Sequence, residues 1–257
     1  MNVLVFALHT APDIDGARRL YDLHGLSDDD VARAVLHKRR QAQHGESFPM
    51  HLQRVVTLSA VWSSRERFKL WSLGDAQSSE QELLQRFYDG IDRLSPRLVT
   101  WGGTEFEKPV LHYRSLLYAV NAARYWEHGD QQAQFKEHDY LDRSYQHHTD
   151  LSRVLAADIN PSNSGLNEIA RLCGFPGVIN PADPESSSDR LEQDIQRLNE
   201  HCESKVLNIY LLYLNWERNR GNLTSAEYAE RCKLIRAELS QSQSLHLIEF
   251  EQNWIDL

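Results

Sequence analysis

The sequence predicts an α/β fold: a mixed sheet flanked by helices, with additional C-terminal helices. Three observations predict it. Short apolar, β-branched runs alternate with amphipathic segments. Their order is strand, two strands, helix, strand, helix, strand, helices, which suits a sheet with helices packed on it. The chain has 257 residues, 41% of them hydrophobic, enough for a core that needs no disulfide staples. Residues 1–257 read as a single domain with a core of about 3–215 and a helical extension of about 216–257, without internal repeat or linker.

Val3 to Leu8 is a buried strand that stops at Thr10-Ala11-Pro12-Asp13. Segment 16–46 is polar with helical pieces, and its basic cluster His37-Lys38-Arg39-Arg40 reads as a solvated helix end before a phosphate contact. Gln53–Trp62 and Arg67–Leu73 form an antiparallel pair joined by Ser63-Ser64-Arg65-Glu66. In Ser79–Leu94, Ser79 and Glu82 make a capping box, and Leu83, Leu84, Phe87, Ile91 and Leu94 the apolar stripe of a helix. Arg97–Trp101 is a second buried strand, ended by Gly102-Gly103, with a helix from about Pro109. Segment 127–147 is polar and irregular, and His148–Leu155 is a short strand or a strand-to-helix turn. A helix over Leu166–Cys173 stops at Gly174, and a Pro-, Ser- and Asp-rich loop covers Val178–Ser188. A long helix runs from about Asp189 to near Arg218, followed by helices over 224–239 and 245–254.

Lys and Arg number 28 against 37 Asp and Glu, a formal charge of −9. This composition excludes the disordered, collagen-like and membrane classes. It argues against a chain coated in nucleic acid, leaves room for a local basic groove, and permits a cluster of metal-binding carboxylates. Cys173, Cys202 and Cys232 are far apart and lack CxxC spacing, which fits a reducing compartment. With no basic region before the first apolar run and no long apolar stretch, the expectation is a cytoplasmic protein without a membrane partner. No nucleophile elbow, P-loop or HExxH motif is present.

Three segments carry a resemblance. They are Val5-Phe6-Ala7-Leu8-His9-Thr10-Ala11-Pro12-Asp13, Leu98-Val99-Thr100-Trp101-Gly102-Gly103-Thr104-Glu105-Phe106-Glu107-Lys108-Pro109, and His201-Cys202-Glu203-Ser204-Lys205-Val206-Leu207-Asn208-Ile209-Tyr210. Together with Gln53–Val56, His148–Leu151 and Leu166–Gly177, the chain resembles the 3′–5′ exonucleases related to the proofreading domain of family-B DNA polymerases, a branch of the ribonuclease H-like fold. The resemblance implies that fold and phosphodiester cleavage by two metal ions held by carboxylates.

It also marks the site. The family's Asp and Glu on the first strand fall at Ala7 and His9, its third acid at Glu107, and the Asp of the long helix at Lys205, with the Tyr that orients water at His201. His201 and Lys205 keep the (i, i+4) spacing that puts them on one helical face. The acid of Glu107 and the base of Lys205 cancel, and Ala7 and His9 add no charge at neutral pH, so this set does not hold a pair of hard divalent cations. The expectation is that no catalytic residue functions, that no cofactor is bound, and that Lys205 and Glu107 pair across the site. Asp150 is the nearest intact acid. The alternative is an active exonuclease with Mg or Mn on a non-standard set, His9 and Glu107, joined by Asp13 or His201.

The favoured function is thus a pseudo-exonuclease, retained for binding single-stranded DNA or RNA or as a scaffold for a protein partner. Trp101, Gly103, Phe106 and Arg114 are the candidate nucleic-acid contacts, with Arg124 and Arg143 as further phosphate candidates. Tyr113 and Phe106 also read as core, His148 as structural, and Asp13 as a helix cap.

Overall fold

A computed structural model describes residues 2–43, 45–75, 77–127, 139–141, 147–157, 165–178 and 191–255, the side chains of 191–194 excepted. The sheet has five strands: β1 (Val3–Pro12), β2 (Gln53–Ser63), β3 (Phe68–Leu73), β4 (Arg97–Thr100) and β5 (His148–Asp150). Their spatial order is β3-β2-β1-β4-β5. β1, β2 and β3 pair antiparallel, whereas β4 runs parallel to β1 and β5 parallel to β4. The register sets Ala7 opposite Ser59 and His9 opposite Thr57, and shifts between His9 and Thr10.

Alternation along β1 sends successive side chains to opposite faces. Leu4, Phe6 and Leu8 pack with Leu83, Leu84, Phe87 and Ile91 of helix α3 (Glu80–Leu94) and with Val110 and Leu111 of α4 (Glu107–Leu117). Val3, Val5 and Ala7 face the other way, onto Cys202, Val206, Leu207 and Tyr210 of the long helix α8 (Leu191–Asn219). The helices α9 (Ser225–Gln241) and α10 (Leu245–Gln252) extend that second core through Ile235, Leu239, Leu247 and Phe250. Between β1 and β2 lies a helical hairpin, α1 (Ile14–Tyr21) and α2 (Asp28–Gln41), closed by Ala17, Val31 and Val35. A short 3-10 helix at Met50–Leu52 and the small helices α5 (Ala123–Trp126), α6 (Leu151–Leu155) and α7 (Leu166–Leu172) complete the described elements.

The sequence reading of this architecture holds: the sheet is mixed, helices flank it, and additional helices follow at the C-terminus. Ser79 caps α3 by accepting from the Glu82 backbone N–H at 3.2 Å. One boundary differs in a way that matters. α4 begins at Glu107 rather than about Pro109, so Pro109 sits inside the first turn, where a missing N–H costs nothing. β5 runs directly into α6, which is the strand-to-helix turn that the sequence reading offered over His148–Leu155. Most of segment 127–147, and all but Val178 of the segment Val178–Ser188 read as a loop from the sequence, lie outside the described residues. Among the described residues, no helix is long and apolar enough to cross a membrane.

Candidate functional site

The positions marked in the sequence converge at one place. α8 lies across β1 and β2 and carries His201 and Lys205 onto the face that Ala7 and His9 share. Glu107 reaches the same place from the first turn of α4, just past the end of β4. This is the crevice beyond the carboxyl ends of parallel strands, where open α/β sheets place their sites.

Lys205 and Glu107 form an ion pair there, with Nζ donating to Glu107 Oε1 at 3.1 Å. The Glu107 side chain is 2% exposed and that of Lys205 24%. Burial works against the Lys205 ammonium, but the carboxylate beside it outweighs burial and raises its pKa above the ordinary value. The start of a helix is also a favourable place for a carboxylate, because the backbone dipole is positive there.

Ala7 is fully buried in the apolar cluster with Cys202 and Val206. The His9 ring lies against that of His201, centroids 4.7 Å apart. Burial, then the charges of His201 and Lys205, push the His9 pKa down to about 3. The imidazole is therefore neutral, and its Nε2 is buried without a hydrogen-bond partner. Nearby, Thr57 on β2 bonds Asn199 of α8, and Glu203 turns away to Ser72 (2.6 Å) and His246 (2.8 Å).

Asp150 is occupied elsewhere. One carboxylate oxygen accepts from the Gly102 N–H and the Ser152 hydroxyl, both at 2.8 Å, and the other accepts from the Thr104 N–H at 2.8 Å. Burial raises its pKa, but these bonds outweigh burial and hold it below the usual carboxylate value. Asp150 thus ties the glycine turn to β5. Gly103 is buried in that turn, and a Cβ there would collide with the Thr100 side chain. Its role is to let the backbone pass close to Thr100 rather than to face a ligand.

Arg114 is removed from the nucleic-acid contacts by its surroundings. It is 1% exposed and donates to Glu80 at 2.8 and 2.5 Å, to Asp13 at 2.7 Å and to the His51 carbonyl at 3.1 Å. Asp13 caps α1 through the Gly16 N–H at 2.9 Å, so it is bound into this cluster and not into a metal site. Arg124 is likewise buried, with its guanidinium over the Tyr140 ring at 5.0 Å. Arg143 lies outside the described residues. Tyr113 is not core but 51% exposed. Phe106 and Trp101 are half-buried and pack at the margins of the two cores.

The structure adds a buried chain that sequence spacing did not signal. His148 Nε2 meets Thr100 Oγ1 at 2.9 Å, and Lys108 donates to the Tyr140 carbonyl at 3.0 Å beside His148 Nδ1. Burial first, then Lys108, hold the His148 pKa down to about 3. Among the described residues, no group of three or more His, Cys, Asp or Glu side chains is placed to hold a metal ion.

The family described as "Predicted 3'-5' exonuclease related to the exonuclease domain of PolB" matches residues 46–254, which include Glu107, Asp150, His201 and Lys205 but not Ala7 or His9. No curated protein matches the chain. Among solved structures, the family B DNA polymerase from the hyperthermophilic archaeon Pyrobaculum calidifontis is similar in fold, with a TM-score of 0.50 and 15% identity over 98% of this chain. The chain spans 27% of the length of that polymerase. With most of its length inside the family match, the chain belongs to the predicted 3′–5′ exonucleases related to the exonuclease domain of PolB.

Proposed function

We propose that this family member is a pseudo-exonuclease. It keeps the fold of the family, lacks the two-metal carboxylate site, and binds single-stranded nucleic acid without cutting it. The observation that carries the reading is the Lys205–Glu107 pair at 3.1 Å. Two-metal hydrolysis needs hard cations held by several carboxylates at the point of attack. Here the buried acid Glu107 already has a fixed ammonium as its counter-ion, and that ammonium repels a divalent ion from the same spot. Ala7 supplies no ligand, and the neighbouring Asp150 spends its oxygens on the glycine turn. The donor set therefore does not fit a pair of magnesium or manganese ions, and no chemical step through them is derived.

A second reading, a working exonuclease on one metal, is favoured by a single observation: the neutral His9 imidazole with an unpartnered Nε2 beside His201. Lys205 stands against it, because its charge is among the causes that depress His9. For the strand itself, Trp101 at the end of β4 and Phe106 before α4 remain the proposed stacking contacts, since each keeps part of its ring in solvent.

Fluorescence titration with a labelled single-stranded oligonucleotide across a salt series tests the binding half. The expected affinity falls steeply as salt rises, as counterion release requires, and does not change when magnesium is replaced by a chelator. Absence of binding at every salt concentration would remove the nucleic-acid role and leave the protein-scaffold role in its place.

A further inference from the structure

A second candidate site lies at the far end of α8 from Lys205. Asn215 is ten residues beyond Lys205, about 15 Å along the helix at 1.5 Å per residue. There α8, α9 and the segments around α7 and α10 enclose a cavity of about 390 Å³, a size suited to a small organic ligand. Among the described residues, its lining includes Asn215, Arg218, Tyr228, Lys233, Arg236 and Trp254 and no acidic side chain.

The cations differ in how far they are already neutralised. Arg236 pairs with Glu251 at 2.9 Å, and its guanidinium lies 4.3 Å over the Trp254 ring. Lys233 pairs with Glu230 at 2.7 Å, but both side chains are largely exposed, so that pair is weak. Arg218 lies 4.4 Å over the Tyr228 ring and has no carboxylate partner among the described residues. Tyrosine holds this guanidinium flat while its N–H donors stay available, an arrangement suited to bidentate capture of a phosphate or carboxylate.

We propose that this cavity is a binding site for a nucleoside monophosphate, with the phosphate on Arg218 and Lys233 and the base against the planar guanidinium of Arg236. The choice of a nucleotide over another ring-bearing anion rests on membership of a nucleic-acid-processing family. It does not depend on whether the site at Lys205 is catalytically dead.

The cysteines provide the readout. Cys173 and Cys232 line the cavity and are partly exposed, whereas Cys202 is buried elsewhere. Alkylation of the intact chain by iodoacetamide, followed by mass spectrometry, is measured with each of the four common 5′-monophosphates, the matching nucleosides, and inorganic phosphate. At least one monophosphate is expected to slow modification of Cys173 and Cys232 several-fold. Arg218→Met should weaken that protection about tenfold, the loss of one charge-assisted contact, while Arg218→Lys retains part of it. Lys205→Met should leave protection unchanged, which separates this site from the one on β1. The proposal is overturned if no monophosphate protects, if inorganic phosphate protects as well as any nucleotide, or if Arg218→Met protects like the parent.

Discussion

Replacing Arg114 by Met is expected to lower folding stability by about 3–5 kcal/mol, the range for removing one partner of a buried ion pair. The Arg114 side chain is 1% exposed, and the Glu80 side chain that faces it is 4% exposed. Glu80 has two further donors, the Val55 N–H at 2.7 Å and the Tyr118 hydroxyl at 3.0 Å, but neither carries charge. Without the guanidinium, a carboxylate stays buried with no counter-ion, and Asp13 loses its partner at the start of α1. Urea denaturation of the two proteins reads the difference directly. The same variant should bind a single-stranded oligonucleotide as tightly as the parent under conditions where both are folded, since the lost group never faced solvent. A stability change below about 1 kcal/mol, the level of a surface pair, would show that the cluster is not desolvated as described.

Lys205→Met is expected to cost about 3 kcal/mol at neutral pH by the same mechanism, because Glu107 is then left buried and unpaired. The pH dependence gives the sign. In the parent, the Glu107 carboxylate outweighs burial and raises the folded-state pKa of Lys205 above its ordinary value. The stability Lys205 contributes is fully present below the unfolded lysine pKa and is lost as pH rises through the raised folded value, so the gap between parent and variant should close there. The double variant Lys205→Met with Glu107→Gln should recover most of the loss, since it removes both charges. Urea midpoints for the parent, both single variants and the double variant complete the cycle. Additive single effects would mean that the two side chains do not interact.

The fold was legible because its signals are local. The β-branched runs at Val3–Leu8 and Arg97–Trp101, and the stripe through Leu83, Phe87 and Ile91, announce their elements without tertiary help. The Lys205–Glu107 pair was legible for another reason. Resemblance put both residues at one site, and opposite charges in a confined, buried place find each other. Neighbours on α4 show where such reading ends. Tyr113 looks like core and is exposed, while Arg114 looks like surface and is buried. The inversion follows from Glu80 and Asp13, which lie 34 and 101 residues away and await a cation at that point. Nothing local to α4 encodes that. Gly103 shows the same limit: the side chain it must avoid, Thr100, is identified only when the turn closes back on it. The start of α4 was misplaced because Pro109 suits a first helical position, although the first turn accepts it at other positions too.

Metal-dependent digestion of 3′-labelled single-stranded DNA tests the central claim most directly, with the intact chain in magnesium and in manganese. With a fixed ammonium paired to the buried acid Glu107, release of label should not rise above that of the nucleic acid alone in either metal. Turnover on the order of 1 per second, the scale of ordinary enzymes, would contradict the account and assign His9, Glu107 and their neighbours a catalytic role.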